Sequence, residues 1–138
     1  MILIDAGPLV ALINANDKHH QSCREVIESI QEPILTVWPA VTEAMYLLRS
    51  SWPAQNALWK MIDRGAIQLE ELDETDCSRM CELMGKYRDL PMDLADAALV
   101  HVAERERIRR IFTLDRRDFS VYRPMGTRFS ILPKAKSS

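Results

Sequence analysis

Short apolar runs alternate along the chain with longer stretches in which apolar residues recur at helical spacing. The runs predict five strands, at residues 2–5, 34–37, 66–72, 110–115 and 128–132. The stretches between them predict six helices, at about residues 8–14, 20–31, 39–50, 54–64, 74–88 and 93–107. Alternating strands and helices form parallel sheets, whose central strands read as continuous apolar runs because helices cover both faces. The pattern therefore predicts an α/β fold, a small parallel sheet with helices on both faces.

The length of the chain suits one such domain. Its 138 residues are 47% hydrophobic and 28% charged, which is ordinary for a globular protein. We assign residues 1–133 to a single domain and residues 134–138 to a flexible tail. No apolar run approaches the roughly 18–20 residues that span a bilayer, and Asp5 and Pro8 interrupt the first run, which argues against a signal peptide. Three cysteines without framework spacing are typical of the reducing cytoplasm.

Four acidic residues lie in or at the end of apolar segments. Asp5 and Asp115 each end a predicted strand, while Glu43 and Asp96 lie in the first turns of apolar helices. Acids are rarely buried unless they are paired or bind a metal. Ligands of open parallel sheets bind beyond the carboxyl ends of the strands, so all four side chains can meet at that edge. The pattern predicts a cluster of carboxylates that binds a hard divalent cation such as Mg²⁺ or Mn²⁺.

Each acid has a simpler explanation when it is taken alone. Asp5 can cap the helix that starts near Pro8, Asp115 can be a turn residue, and Glu43 can bind a buried backbone group. Asp118 is a secondary candidate beside Asp115.

Asp93 and Asp96 need to be distinguished because they are only three residues apart. Asp93 is a natural N-cap, and Asp96 follows it at capping-box spacing. Capping explains Asp93 well, but it explains Asp96 poorly because the helix around Asp96 is almost wholly apolar. We therefore predict Asp96 as the metal ligand and Asp93 as a supporting or capping partner.

Such a cluster is suited to hydrolysis of a phosphodiester. A bound divalent ion activates water and stabilises charge on the phosphate, so no Ser or Cys nucleophile is required. None is evident, and His101 lies inside an apolar helix where packing is expected. The charge distribution is uneven: residues 1–100 carry 8 basic and 16 acidic side chains, whereas residues 101–138 carry 10 and 4. The basic end can contact nucleic-acid phosphates, with a solvated surface as the alternative.

Four segments together resemble the PIN-domain family, and within it the VapC-type ribonuclease toxins of bacterial toxin–antitoxin pairs. They are residues 2–12 (ILIDAGPLVAL), 42–44 (TEA), 93–98 (DLADAA) and 113–119 (TLDRRDF). The resemblance implies a PIN-like three-layer fold and a metal-dependent endoribonuclease, usually a homodimer that a small antitoxin inhibits. It also implies that four acids bind the metal and carry out catalysis: Asp5, Glu43, Asp96 and Asp115. Gly7 departs from the family, which more often has Ser or Thr there.

The resemblance leads to further expectations about RNA and partners. Six arginines are expected to contribute to RNA affinity: Arg105, Arg107, Arg109, Arg110, Arg116 and Arg117, of which the last two are the predicted RNA-binding residues. Trp52, Trp59 and Ile62 predict an apolar patch for a second copy or an antitoxin, with core packing as the alternative for Trp59.

Three other functions compete with the toxin. They are a PIN nuclease for RNA processing without an antitoxin, a catalytically weak binding domain, and a phosphoacceptor module. The last is disfavoured because Ala6, rather than a second acid, follows Asp5 and because no strand-end Lys is present.

Overall fold

The computed structural model describes residues 1–135, which form a five-stranded sheet between two layers of helices. The strands are β1 (Ile2–Ile4), β2 (Ile34–Thr36), β3 (Gln68–Leu69), β4 (Arg110–Phe112) and β5 (Ser130–Leu132). The α-helices of this part of the chain are α1 (Ala6–Ile13), α2 (His20–Ser29), α3 (Trp38–Leu47), α4 (Trp52–Asp63), α5 (Cys77–Lys86), α6 (Leu94–Glu106) and α7 (Arg116–Phe119). Two 3₁₀ turns lie at Glu74–Asp76 and Pro124–Gly126.

The strands pair in the order β3-β2-β1-β4-β5, and every neighbouring pair is parallel. The chain moves outward from β1 to β3 and then returns to place β4 on the other side of β1. The strand order therefore reverses between β1 and β4, where Ile4 lies opposite Phe112. The carboxyl ends of strands at such a switch point leave a crevice for a ligand.

The two faces of the sheet bury separate apolar clusters. Leu3 points into a cluster that contains Leu83 of α5 and Leu99 of α6. Ile2 and Ile4 point the other way, into a cluster built with α1, α2, α3 and α4. All three residues of β1 are fully buried because alternate side chains meet a helix layer on each face. The predicted α/β fold with helices on both faces is confirmed.

Several element boundaries differ from the predictions. β1 ends at Ile4 and β4 at Phe112, so Asp5 and Asp115 lie in the turns beyond the strands rather than being the last strand residues. The predicted strand at residues 66–72 is reduced to the two residues of β3. Helix α7 was not predicted, because four largely polar residues carry no readable periodicity.

Most of the predicted tail lies outside the residues that the structure describes. Lys134 and Ala135 are exposed, and residues 136–138 lie outside the described residues. Within residues 1–135, no helix has the length and the apolar character needed to cross a membrane.

Candidate metal centre

A cavity of about 300 Å³ opens at the carboxyl edge of the sheet, beside the switch between β1 and β4. Gly7, Pro91 and Leu114 form part of its lining. The rest of the lining consists of six acids, namely Asp5, Glu43, Asp93, Asp96, Asp115 and Asp118. The four acids predicted as ligands and the two secondary candidates therefore converge on one site, although they come from four separate segments of the chain.

Three of these acids are also the N-caps of helices that begin at the cavity. Asp5 caps α1, Asp93 caps α6 and Asp115 caps α7, each through a backbone N–H of the first turn at 2.8–3.1 Å. The helix dipole adds a partial positive charge at the starts of the longer helices α1 and α6. Capping and clustering are thus compatible, because backbone N–H groups donate to three of the acids that the cavity brings together.

Thr113 connects two of the acids through its buried hydroxyl. The hydroxyl donates to Asp5 Oδ2 at 3.0 Å and accepts the backbone N–H of Asp115, also at 3.0 Å. Burial raises the pKa of Asp5, while the hydrogen bonds from the Ala6 N–H and the Thr113 hydroxyl oppose that rise. Asp5 is 8% exposed and has a bond at each oxygen, so its carboxylate is held in one orientation.

Asp96 has a comparable partner in Tyr122. The phenolic hydroxyl of Tyr122 donates to Asp96 Oδ2 at 2.7 Å, and the ring of Tyr122 is fully buried. Asp96 itself is 8% exposed, and burial raises its pKa to about 8 despite the hydrogen bond from Tyr122. The carboxylate of Asp96 therefore lies inside the cavity, while Asp93 caps helix α6.

Asp96, Asp115 and Asp118 form the tightest group in the cavity, since one carboxylate oxygen of each lies within 4.8 Å of the others. Oxygens on opposite sides of Mg²⁺ at 2.0–2.1 Å are about 4.2 Å apart, so small side-chain movements would complete a site. Burial and the Asp115 carboxylate raise the pKa of Asp118, and the Arg117 guanidinium opposes the rise. Because every donor is a hard oxygen and the negative charge is largely uncompensated, the residues fit Mg²⁺ or Mn²⁺.

Glu43 differs from the expectation that its apolar neighbours suggested. The neighbouring Tyr46 and Leu47 are themselves 61% and 51% exposed, so Glu43 lies on an exposed face of α3 rather than in the core. Partial burial and the Asp5 charge raise the pKa of Glu43. It therefore faces the other acids from the open side of the cavity.

The fold divides the arginines that were expected to act together. Arg110 begins β4 at the opposite edge of the sheet and pairs with Glu32. Arg105 pairs with Asp76 and Glu70 beside β3. Arg117, in α7, is close enough to the cavity for its charge to act on Asp118, and Arg116 is its neighbour in the same helix.

Thr113 and Tyr122 are the residues of the site that sequence reasoning missed. Thr113 carries a weak signal, as a polar residue inside the apolar run 111–114. Tyr122 carries none, because its bond to Asp96 joins positions 26 residues apart and depends on how the segment after α7 packs against α6.

The sequence profile of the PIN domain matches residues 2–123. The chain belongs to the PIN-domain family. It is also 33% identical over 135 residues to Ribonuclease VapC26 of Mycobacterium tuberculosis (strain ATCC 25618 / H37Rv), an alignment that covers 96% of this chain and all of that relative. The predicted family is therefore confirmed.

Two solved structures share the PIN-domain architecture. One is VapC20 of Mycobacterium tuberculosis, described as a toxin that cleaves the sarcin–ricin loop, with a TM-score of 0.77 and 18% identity over 85% of this chain and 92% of that one. The other is a toxin–antitoxin complex from Klebsiella pneumoniae, with a TM-score of 0.69 and 15% identity over 88% of this chain and 92% of that one. At these identities the two structures support the fold.

Proposed function

We propose that this PIN domain is a divalent-metal-dependent endoribonuclease that hydrolyses RNA phosphodiesters, and that it is the toxin of a toxin–antitoxin pair. The observation that carries the proposal is the cavity at the switch point, in which six carboxylates face one another. The identity to a ribonuclease of the VapC type and the structural similarity to a toxin–antitoxin complex support the choice of RNA and of a toxin. We place the activity in the cytoplasm, where the three free cysteines would stay reduced.

The roles of the acids follow from their positions. We propose that Asp96, Asp115 and Asp118 hold the metal ion, and that Asp5 contributes from the adjacent wall. Glu43, on the open side and with a raised pKa, is suited to exchange a proton with water or with the leaving oxygen. A metal ion bound there would activate water and neutralise charge on the scissile phosphate.

The substrate must bring a phosphate into a strongly negative cavity. A bound cation reverses the local charge, and the Arg117 guanidinium beside Asp118 adds a positive group at the rim. We expect a single RNA strand, whose backbone can bend into a cavity of about 300 Å³, to be preferred over a duplex whose backbone is held in a rigid helix.

An exposed aromatic surface on α3 and α4 supports a protein partner. Trp38, Trp52 and Trp59 are 50%, 65% and 44% exposed, and Trp38 and Trp59 lie with ring centroids 6.1 Å apart. Ile62 of the predicted patch is half-buried and packs on the core instead. Large exposed apolar patches mark interaction sites, and we propose that a second copy of the chain covers this one, with an antitoxin as the alternative occupant.

The test of the function is an RNA cleavage assay with purified protein. The protein is co-expressed with the product of the neighbouring small gene and then separated from it. We expect cleavage with Mg²⁺ or Mn²⁺ and none with excess EDTA. Undiminished cleavage in EDTA would exclude the metal mechanism.

The same experiment distinguishes the alternative functions. If the product of the neighbouring gene does not co-purify, an RNA-processing nuclease without an antitoxin is favoured. Binding of RNA without cleavage would favour a weak binding domain, which the missing hydroxyl at Gly7 also supports.

A further inference from the structure

We propose that Tyr122 is a positioning residue of the metal centre, whose hydroxyl fixes the carboxylate of Asp96 relative to Asp115 and Asp118. This inference rests on the proposed function, because it assumes that these three acids bind the metal ion. It concerns a residue without charge that lies entirely outside the cavity lining.

The position of the hydroxyl is determined by packing. Tyr122 is fully buried, and its ring lies edge-on to Phe119 at 5.1 Å and 87° and to Tyr87 at 5.0 Å and 72°. These contacts pack against the ring and oppose its rotation away from Asp96. The hydroxyl thus reaches Asp96 Oδ2 from a fixed point, at 2.7 Å, a short distance typical of a hydrogen bond to a carboxylate.

Tyr122 also links the two segments that carry the ligands. Its backbone N–H donates to the carbonyl oxygen of Asp118 at 3.2 Å, so the residue moves with α7 and with Asp115, which caps that helix. Its side chain binds Asp96, on α6. One residue therefore sets the spacing between the acid of α6 and the acids of α7, which a metal ion requires to be nearly constant.

A buried tyrosine hydroxyl usually has a hydrogen-bond partner, whatever its function. The positioning role of Tyr122 must therefore be tested by a property that packing alone would not change. Partners that orient metal ligands typically affect metal affinity by about 10- to 100-fold when they are removed. We therefore expect Tyr122→Phe, which removes only the hydroxyl, to weaken Mn²⁺ binding by about that factor in calorimetric titration.

Tyr87→Phe is the matched control. It removes a hydroxyl from the ring that packs against Tyr122, and that hydroxyl accepts the backbone N–H of Arg123 at 3.1 Å rather than binding an acid. We expect its Mn²⁺ affinity to equal that of the wild type. An equal loss of affinity in both variants would assign the effect to packing of the aromatic cluster and would overturn the proposal.

A double-mutant cycle tests whether Tyr122 acts through Asp96. In an Asp96→Asn background, Tyr122→Phe should cause no further loss of Mn²⁺ affinity, whereas independent effects would add. If the wild type binds Mn²⁺ and cuts RNA, either of two results would overturn the inference: an additive loss of Mn²⁺ affinity in the double variant, or wild-type affinity in Tyr122→Phe. If the wild type neither binds Mn²⁺ nor cuts RNA, the proposed function fails as well, so the two failures are distinguishable. Thermal melting in EDTA confirms that each variant is folded.

Discussion

Asp93 and Asp96 stand three residues apart at the start of α6, but their side chains have different partners. Asp93 accepts the backbone N–H of Asp96 at 2.8 Å, and the carboxylate of Asp96 accepts the hydroxyl of Tyr122. Asp93 is exposed at the rim, whereas Asp96 is buried. At the residue scale this separates a helix cap from a proposed ligand, and each can be tested by an amide substitution that keeps the shape of the side chain.

Asp96→Asn should give a metal-free melting temperature equal to or above that of the wild type, because an amide stays neutral at every pH and so avoids the cost of ionising a carboxyl group in a crowded, desolvated cluster. It should also lose most of the Mn²⁺-induced rise in melting temperature and the RNA cleavage. Asp93→Asn should change both properties little, since Asn also caps helices well. Melting in EDTA and in Mn²⁺ beside a cleavage assay decides this. An Asp96→Asn protein that melts far below wild type in EDTA yet cuts RNA would make Asp96 structural.

Gly7 offers a second test at the residue scale. A Cβ built there would lie 3.4 Å from Leu114 Cβ, an ordinary contact, so a small side chain fits in the first turn of α1. Gly7→Ala and Gly7→Ser should both stabilise the fold by up to about 1 kcal/mol, because Gly loses more conformational freedom in a helix. Only Gly7→Ser should raise RNA cleavage, since it supplies a hydroxyl at the cavity. Equal activity in both variants would show that the hydroxyl is irrelevant.

At the scale of elements, α7 matters more than its four residues suggest. It begins at Asp115, carries Asp118, and is anchored by the buried ring of Phe119. Its two arginines differ in their surroundings. The guanidinium of Arg116 donates to the carbonyl oxygen of Pro133 at 2.7 Å, whereas the charge of Arg117 acts on Asp118.

This difference predicts unequal contributions of the two arginines to RNA binding. Arg117→Ala should weaken affinity and reduce the slope of log affinity against log salt by roughly 0.7, the value for one phosphate contact with a single strand. Arg116→Ala should leave the slope nearly unchanged and affect mainly stability. Fluorescence titration of a labelled RNA at several salt concentrations, with the non-cleaving Asp96→Asn protein, measures both. Identical slopes in the Asp96→Asn protein and in its Arg116→Ala and Arg117→Ala variants would show that α7 does not contact RNA.

At the scale of the whole molecule, the acid cavity should make the stability of the metal-free protein depend on pH. The pKa of Asp96 is raised from 3.8 to about 8, so between these values the folded chain keeps a proton that the unfolded chain has lost. Stability should therefore fall as pH rises through this window. Denaturation in EDTA from pH 4 to 8 should show the decline, and Asp96→Asn should flatten it. Stability that rises across the window in the wild type but not in Asp96→Asn would contradict the shift.

The aromatic surface makes a second prediction for the whole molecule. If a second copy covers α3 and α4, light scattering at tens of micromolar should show a dimer, and Trp59→Glu should give a monomer that still folds, because Trp59 is 44% exposed. Lys60→Glu, at an exposed neighbouring position, is the control for the added charge. If the wild type is a monomer, the dimer is excluded and an antitoxin becomes the proposed occupant of the surface.

Much of the architecture was accessible from the sequence because it depends on local patterns. The run Ile2-Leu3-Ile4 predicts a strand buried on both faces, and the periodicity of residues 93–107 predicts α6 within about one residue. The rule that ligands bind beyond the carboxyl ends of parallel strands then predicts, from the sequence alone, that Asp5 and Asp115 lie close together. The PIN-domain family followed from the same segments.

The tertiary structure decided which groups surround those acids. Asp5 is bound by Thr113, 108 residues away, and Asp96 by Tyr122, 26 residues away. Packing also placed Glu43 on an exposed face of α3 and separated Arg105, Arg110 and the two arginines of α7 from one another. A sequence shows which side chains a segment presents, since that depends on spacing along the segment. It does not show which distant side chain will meet them, because that depends on how elements far apart in the chain pack against one another.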